Sequence, residues 1–199
     1  MPDHSNYFSA DQDPYFDHSS GVLKNIPNLK TDEELKKFEE LMFQASSIEV
    51  SDYLKSCSEI TLYEWRKVHS MCFADIYEWA GELRTIRVAK GSTVFAYPEN
   101  IIGEADKIFD EINILLKDAK LTLEKIAELF TEANVLHPFR EGNGRTQRIL
   151  FREVMRRAGY SVDYSLTDQT KMINAMVHGY NANYAPVITL FKFISTKTG

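Results

Sequence analysis

Gly142 and Gly144 stand one residue apart, between two segments whose apolar residues recur with helical spacing. Glycine tolerates backbone angles that other residues avoid, so amide N–H groups here can turn inward and form a nest that binds an anion. The helix that follows would direct the positive end of its dipole to the same point. The sequence therefore predicts a helical protein with a phosphate-binding turn between two of its helices.

Four charged or titratable side chains around this turn suit phosphate chemistry. Arg145 and Arg148 lie three residues apart on one helix face, where guanidinium groups can make bidentate contacts with phosphoryl oxygens. Glu141 would repel bound phosphates unless a divalent cation lay between them, and Mg²⁺ is commonly held by one carboxylate plus substrate phosphates. His137 accepts a proton near neutral pH, which makes it the candidate base.

Residues 137–148 read His-Pro-Phe-Arg-Glu-Gly-Asn-Gly-Arg-Thr-Gln-Arg and match, at every fixed position, the Fic family signature His-Pro-Phe-x-Asp/Glu-Gly-Asn-Gly-Arg-x-x-Arg. The resemblance extends over about residues 61–199. It implies a protein adenylyltransferase, which cuts ATP between its α- and β-phosphates and attaches AMP to a Tyr, Ser or Thr hydroxyl of a target protein. Relatives that phosphorylate carry Lys in place of Gly144, so this glycine favours AMP transfer, while UMP or phosphocholine transfer stays open.

The resemblance also implies roles for single residues. The amides of residues 142–144, with Asn143, would hold the α-phosphate, and Arg145 and Arg148 would hold the β- and γ-phosphates. The helix expected at 167–181 and the base of a β-hairpin would contact adenine. The predicted site consists of the catalytic His137, the Mg²⁺ ligand Glu141, and the nucleotide-binding residues Gly142, Asn143, Gly144, Arg145, Thr146, Gln147, Arg148, Lys90, Gly91 and Asn174.

Helical patterns fill most of the remaining chain. Capping boxes, in which a Thr precedes a Glu by three residues, start predicted helices at Thr31 and Thr61. The expected helices span about residues 31–47, 61–79, 98–117, 122–136, 145–158, 167–181 and 184–194. Residues 84–97 instead alternate as a β-hairpin does. The predicted fold is therefore an all-α Fic bundle with one β-hairpin flap.

The chain divides, by prediction, into an N-terminal part at 1–60 and a Fic domain at 61–199. The first part would be an irregular arm, held against the body by Tyr15 and Phe16, followed by one helix that packs on the core. In the Fic resemblance the flap at 84–97 holds a segment of the target protein as an added strand. Such docking uses main-chain hydrogen bonds and tolerates varied target sequences.

Composition excludes several other classes of protein. The 199 residues carry 23 Lys and Arg against 29 Asp and Glu, and the net charge of −6 argues against direct nucleic-acid binding. An Arg stripe on the helix at 145–158 would by itself also fit a DNA-reading helix. Only Cys57 and Cys72 are present, which predicts neither a disulfide framework nor a zinc site. The remaining histidines, expected to be ordinary surface or core residues, are His4, His18, His69 and His178.

The same sequence favours a reducing cytoplasm, although secretion as an effector stays open. No apolar run is long enough to span a bilayer, and the first residues are too polar for a secretory signal. We therefore expect no membrane partner. The expected partners are ATP, a target protein and a regulator.

Many Fic enzymes are restrained by a helix in which Ser or Thr, three residues, Glu, and then Gly or Asn follow one another. Here Glu precedes Gly or Asn only at Glu99 and Glu141, and four residues earlier stand Phe95 and His137. The resemblance then implies a bacterial toxin restrained by a small antitoxin that supplies Glu to Arg148, with the ATPase subunits of DNA gyrase and topoisomerase IV as targets. The alternatives are an effector that modifies host small GTPases and a nucleotide-binding module without turnover.

Overall fold

The computed structural model describes residues 13–91 and 93–198. Residues 1–12 of the arm expected at the N-terminus, including His4, lie outside the described residues, as does Ser92 of the hairpin turn. The helices are α1 (Asp32–Ser56), α2 (Leu62–Phe73), α3 (Ile101–Lys117), α4 (Leu123–Leu136), α5 (Asn143–Arg157), α6 (Gln169–Tyr180) and α7 (Ala185–Ile194). The strands are β1 (Phe16–Asp17), β2 (Val22–Leu23), β3 (Ala89–Lys90), β4 (Thr93–Val94), β5 (Tyr160–Val162) and β6 (Ser195–Lys197).

The predicted helical fold with a hairpin flap is confirmed. β3 and β4 pair antiparallel as the flap. Two further antiparallel pairs, β1 with β2 and β5 with β6, were not expected. Strands of two or three residues are too short to show an alternating pattern, so these pairs leave no periodic signal in the sequence. Within the described ranges, none of the helices combines the length and apolar character needed to cross a membrane.

α4 and α5 form the centre of the bundle. α4 packs against α3, α5, α6 and α7, while α5 packs against α1, α2 and α4. Phe130 of α4 meets Phe151 of α5 and Phe191 of α7 edge to face, with ring centroids 5.0 and 5.1 Å apart. Trp65 of α2 is fully buried, and its indole N–H donates to Thr146 Oγ1 of α5 over 3.0 Å. The turn that joins α4 to α5 is therefore fixed at both ends by the core.

α1 is longer than the sequence predicted, because it continues past residue 47 to Ser56. Ser46 and Ser47 lie at the predicted end of this helix, and Ser is a weak helix former because it competes for backbone hydrogen bonds. In the structure their hydroxyl groups donate to carbonyls one turn earlier, and the helix continues. Val50 and Leu54 on the added turns are buried, so packing overrides the weak local signal.

α2 is shorter than predicted and ends at Phe73, not near Trp79. The helical spacing of apolar residues extends beyond Phe73 in the sequence because Tyr77 and Trp79 are buried. These two residues lie in a series of turns, however, where their rings stack with centroids 4.3 Å apart. The arm contributes to this region, since the amide of Ile26 donates to the carbonyl of Ile76. Tyr15, which was expected to hold the arm, packs edge to face on Trp79 at 5.3 Å.

A buried ion pair joins the arm to the turn between α4 and α5. Arg140 lies 2.7 Å from Asp13, and the two side chains are 1% and 3% exposed. The guanidinium Nε also donates to the same carboxylate oxygen over 2.8 Å. Residues 127 positions apart in the sequence are thereby held together without water. The N-terminal arm is thus part of the structure that supports the turn.

Asp13→Ala should lower the free energy of unfolding by about 3 kcal/mol, because it leaves the buried Arg140 without its carboxylate. Urea denaturation measures this change. Asp52→Ala is the matched control, since Asp52 pairs with Lys55 on the exposed surface and should change the stability by less than about 1 kcal/mol. Equal effects of the two substitutions would contradict the structural role given to the arm.

Candidate active site

The turn between α4 and α5 is closed by one side chain. Asn143, the first residue of α5, accepts a hydrogen bond from the amide of Phe139 and donates one to its carbonyl, both over 2.8 Å. Asn143 is 3% exposed, so its side chain serves the turn. The expected contact of Asn143 with the α-phosphate stays a prediction. α5 also begins two residues earlier than predicted, which places its N-terminal amides at the turn.

The two glycines of the turn have different roles. Gly142 has φ +78°, and a Cβ there would lie 2.5 Å from Cε2 of Phe73, so only glycine fits. Gly144 lies inside α5, and a Cβ there would lie 3.4 Å from Nη1 of Arg148. The expectation that both glycines adopt special backbone angles is therefore right for Gly142 and wrong for Gly144. A Cβ at position 144 would make only an ordinary van der Waals contact with the Arg148 guanidinium, which lies beside the turn.

His137 is held at the end of α4 with its ring against the flap. It caps the helix in the left-handed conformation, with φ 45° and ψ 61°. Its ring stacks on Phe95 with centroids 3.7 Å apart. Burial lowers the pKa of His137 to about 3, and the positive charges of Arg84 and Lys90 also lower it, against an opposing contribution from Glu141. The imidazole is therefore neutral at physiological pH and able to accept a proton.

Arg84 is a site residue that the sequence did not reveal. Its guanidinium donates to the carbonyls of His137 and Leu136, over 2.7 and 3.1 Å, and to those of Ile86 and Ala96, both over 2.6 Å. One buried side chain thus ties the base of the flap to the end of α4. It also replaces strand pairing there, which explains why the ladder is shorter than predicted. All its acceptors are backbone atoms, so no sequence pattern marks them.

His69 was predicted to be an ordinary core or surface residue. In the structure it supports the turn from the core side. Its Nδ1 accepts from the amide of Gly81 over 2.9 Å, so Nε2 carries the proton and donates to the carbonyl of Glu141 over 2.9 Å. The ring stacks on Phe139 at 3.9 Å. Burial lowers the pKa of His69 to about 4, which keeps this arrangement neutral.

Glu141 has one engaged and one free carboxylate oxygen. Its Oε1 accepts from the amide of Gly142 over 2.8 Å and lies 3.5 Å from Nη2 of Arg145. Oε2 forms no hydrogen bond with the described residues. Burial would raise the pKa of Glu141, but Arg145 and the Gly142 amide outweigh it and hold the pKa below its usual range. The carboxylate is therefore ionised, with one oxygen available to a cation.

The oxygen ligands at this turn suit a cation that also binds the phosphates of the substrate. Among residues 13–91 and 93–198, no three His, Cys, Asp or Glu side chains gather as a metal site of their own. Mg²⁺ needs few protein ligands when phosphate oxygens complete its coordination. One ionised carboxylate beside an anion nest therefore suits Mg²⁺ bound together with a nucleotide.

The two arginines of the turn are in different states. Arg145 lies 2.7 Å from Oε2 of Glu39 on α1, and its guanidinium lies over the ring of Phe73 at 4.8 Å. It is therefore paired with carboxylates through Nη2, and its expected contact with phosphates stays a prediction. Arg148 forms no hydrogen bond or ion pair with any described residue. Burial lowers the pKa of Arg148, and the nearby cations Arg145 and Arg152 add to this effect, so an anion would be favoured there.

Thr146 and Gln147 are buried, and their predicted polar contacts with the nucleotide stay predictions. Thr146 is fully buried and bonds to the indole of Trp65 and to the carbonyl of Gly142. Gln147 is 1% exposed and donates to the carbonyl of Phe130. Both lie between Arg145 and Arg148 on α5, and both side chains are hydrogen-bonded within the protein.

The residues expected at adenine lie on two elements. Lys90 is exposed at the end of β3, and its charge contributes to the lowered pKa of His137, which places it near the site. Gly91 follows in the hairpin turn with φ +59°. Asn174 is exposed on α6. Their contacts with adenine stay predictions.

Known proteins resemble this chain over nearly its whole length. The Fic/DOC family model matches residues 59–155. "Probable protein adenylyltransferase y4lH" of Sinorhizobium fredii is 35% identical over 90% of this chain and 94% of its own length. "Probable protein adenylyltransferase Fic" of Escherichia coli is 26% identical over 98% of each chain. The N-terminal Fic domain of a VirB-translocated Bep effector from Bartonella quintana, solved with bound ADP, superposes with a TM-score of 0.80 at 25% identity and covers 92% of this chain and 95% of that one.

Gly142→Ala should destabilise the fold by about 2 kcal/mol or more, because it combines a left-handed backbone with a clash against the Phe73 ring. Thermal and urea unfolding measure the loss. Gly103→Ala in α3 is the control, since a Cβ there meets nothing within 4 Å and should be neutral or stabilising by up to about 1 kcal/mol. If Gly142→Ala matched this control, the close approach of the turn to Phe73 would be disproved.

Proposed function

The chain belongs to the Fic/DOC family of enzymes, and we propose that it is a protein adenylyltransferase in which His137 is the base. AMP would pass from ATP to a hydroxyl group of a target protein. The observation that carries this proposal is a neutral imidazole, held beside an ionised Glu141 and next to a glycine turn at which Arg148 has no acidic partner among the described residues. A proton acceptor and an anion site thus share one turn.

The reaction follows from these groups. The target hydroxyl gives its proton to the imidazole while its oxygen forms a bond to the α-phosphorus. The bond from that phosphorus to the oxygen bridging to the β-phosphate breaks, and diphosphate leaves with the electron pair. The N-terminal amides of α5 stabilise the α-phosphate, and Arg148 the outer phosphates. The negative phosphates favour the imidazolium, so the base becomes stronger once ATP is bound.

Mg²⁺ is the cofactor that Glu141 supports through its free oxygen. When bound, it neutralises charge on the phosphates and on the leaving diphosphate. The Gly142 amide donates to Oε1 of Glu141 over 2.8 Å, so the free oxygen has a defined direction. This residue therefore provides the point at which ATP and cation meet the protein.

The flap is the proposed docking site for the target. Its strands pair only with each other among the described residues, so an extended segment can add to an open edge. Phe95 of the flap also covers the ring of His137. A target strand bound there would lie beside the base.

We propose that a separate antitoxin regulates the protein, and this proposal is supported by the lack of an acidic partner for Arg148 among the described residues. None of the described acidic residues pairs with it, and the sequence lacks the inhibitory helix pattern. A small partner that places a Glu against Arg148 would exclude the outer phosphates by charge and by volume. We propose a bacterial toxin in the cytoplasm, with the ATPase subunits of DNA gyrase and topoisomerase IV as its targets.

His137→Ala should reduce transfer of label from α-labelled ATP to proteins of a bacterial lysate by about 100-fold or more, since it removes the general base. ATP binding, measured by calorimetry with Mg²⁺, should persist. His178→Ala, at an exposed position on α6, serves as control. Wild-type protein that binds ATP but labels nothing would favour a binding module without turnover. Labelling of eukaryotic lysate alone would favour an effector.

Arg148→Ala should raise the dissociation constant of ATP by about tenfold or more, because it removes charged hydrogen bonds to the outer phosphates. The affinity for AMP, which lacks those phosphates, should change little. Arg156→Ala on the same helix is the control, since Arg156 pairs with Glu153 instead of facing the turn. An ATP affinity that Arg148→Ala leaves unaltered would contradict the placement of the triphosphate.

A further inference from the structure

We propose that Glu39 of α1 is a positioning residue for the cation, because it draws Arg145 away from Glu141 and leaves the free oxygen of Glu141 negative. This inference rests on the proposed function, since it concerns how the same site holds its divalent cation. Glu39 itself touches no reacting atom. It acts through the guanidinium that stands between the two carboxylates.

The distances define the arrangement. Nη2 of Arg145 lies 2.7 Å from Oε2 of Glu39 but 3.5 Å from Oε1 of Glu141. Glu39 is 5% exposed, and its other oxygen accepts a hydrogen bond from the hydroxyl group of Tyr77. The guanidinium rests on the Phe73 ring. Glu39 is thus held from two sides, and the shorter contact shows which carboxylate has the stronger hold on Arg145.

The net charge of Glu39, Arg145 and Glu141 explains how Glu39 affects cation binding. Burial raises the pKa of Glu39, while the contact with Arg145 and the hydrogen bond from Tyr77 favour its ionised form. With Glu39 ionised, two carboxylates and one guanidinium carry a net charge of −1, so the group as a whole attracts a cation to its open side. Without the charge of Glu39 the net charge would be zero, and Arg145 could close the 3.5 Å gap and hydrogen-bond fully to Glu141. A carboxylate engaged in this way competes poorly for a divalent cation. The effect is strong because the group is buried.

Glu39 lies outside the predicted Fic domain. The family model begins at residue 59, and the predicted Fic domain at residue 61, so α1 lies before both. A residue of α1 nevertheless reaches the site over 106 positions of sequence. The N-terminal helix would therefore contribute to cation binding as well as to packing.

The test uses Glu39→Gln in the full chain and compares ATP binding with and without Mg²⁺ by calorimetry, with electron paramagnetic resonance of Mn²⁺ in the presence of ATP as a second readout. The amide keeps the shape and can still accept from Tyr77, but it lacks the charge. We expect the gain in ATP affinity that Mg²⁺ provides to shrink by about tenfold. ATP affinity without metal should not fall, because Arg145 then neutralises Glu141.

Glu40→Gln is the matched control, since it removes the same charge from the next, exposed residue of α1 and should leave the Mg²⁺ effect as in the wild type. Glu39→Asp retains the charge but shortens the reach, and we expect a smaller loss; it also serves if Glu39→Gln does not fold. Two results would overturn the inference: a Mg²⁺ effect unchanged in both Glu39 variants, or an equal loss of ATP affinity with and without metal, which would indicate damage to the scaffold.

The failure of this inference and the failure of the proposed function are distinguishable. Binding of ATP and Mn²⁺ requires no turnover, so the role of Glu39 can be judged even if wild-type protein transfers no AMP. Conversely, if wild-type protein is active and its Mg²⁺ requirement does not depend on Glu39, this inference fails while the proposed adenylyltransferase function stands.

Discussion

The reciprocal hydrogen bonds between the Asn143 side chain and the Phe139 backbone are the contact on which the rest of the site depends. They close the turn between α4 and α5 and start α5 at the residue after Gly142. The imidazole of His137, the carboxylate of Glu141 and the helix amides all take their directions from this closure. A polar side chain inside the protein is stable here because both of its amide atoms are satisfied.

Distant parts of the chain then fix the closed turn against the core. Arg84 holds the carbonyls at the end of α4, His69 holds the carbonyl of Glu141, and Asp13 holds Arg140. Each contact is buried and uses a polar group that would be costly to leave unpaired. The site is therefore rigid before any ligand arrives, which favours catalysis by electrostatic preorganisation.

The sequence was sufficient for the fold class, for most helices and for the residues that define the turn, because capping boxes, helical spacing and a twelve-residue signature are local patterns. It could not show that Arg145 pairs with Glu39, because Glu39 lies on a distant helix. It also could not show that Gln147 is buried and donates to the carbonyl of Phe130, since that partner lies on another helix. The support from Arg84 had no signal, because backbone carbonyls are the same at every position.

The stacking of Phe95 on His137 links two properties that are usually considered apart. Phe95 of the flap that is proposed to receive the target covers one face of the imidazole, and burial of the ring is the largest cause of its low pKa. A flap that swung outward would hydrate the ring and raise its affinity for protons. Recognition of a protein strand and the strength of the base would then be thermodynamically coupled, because the position of the flap would set the proton affinity of the ring.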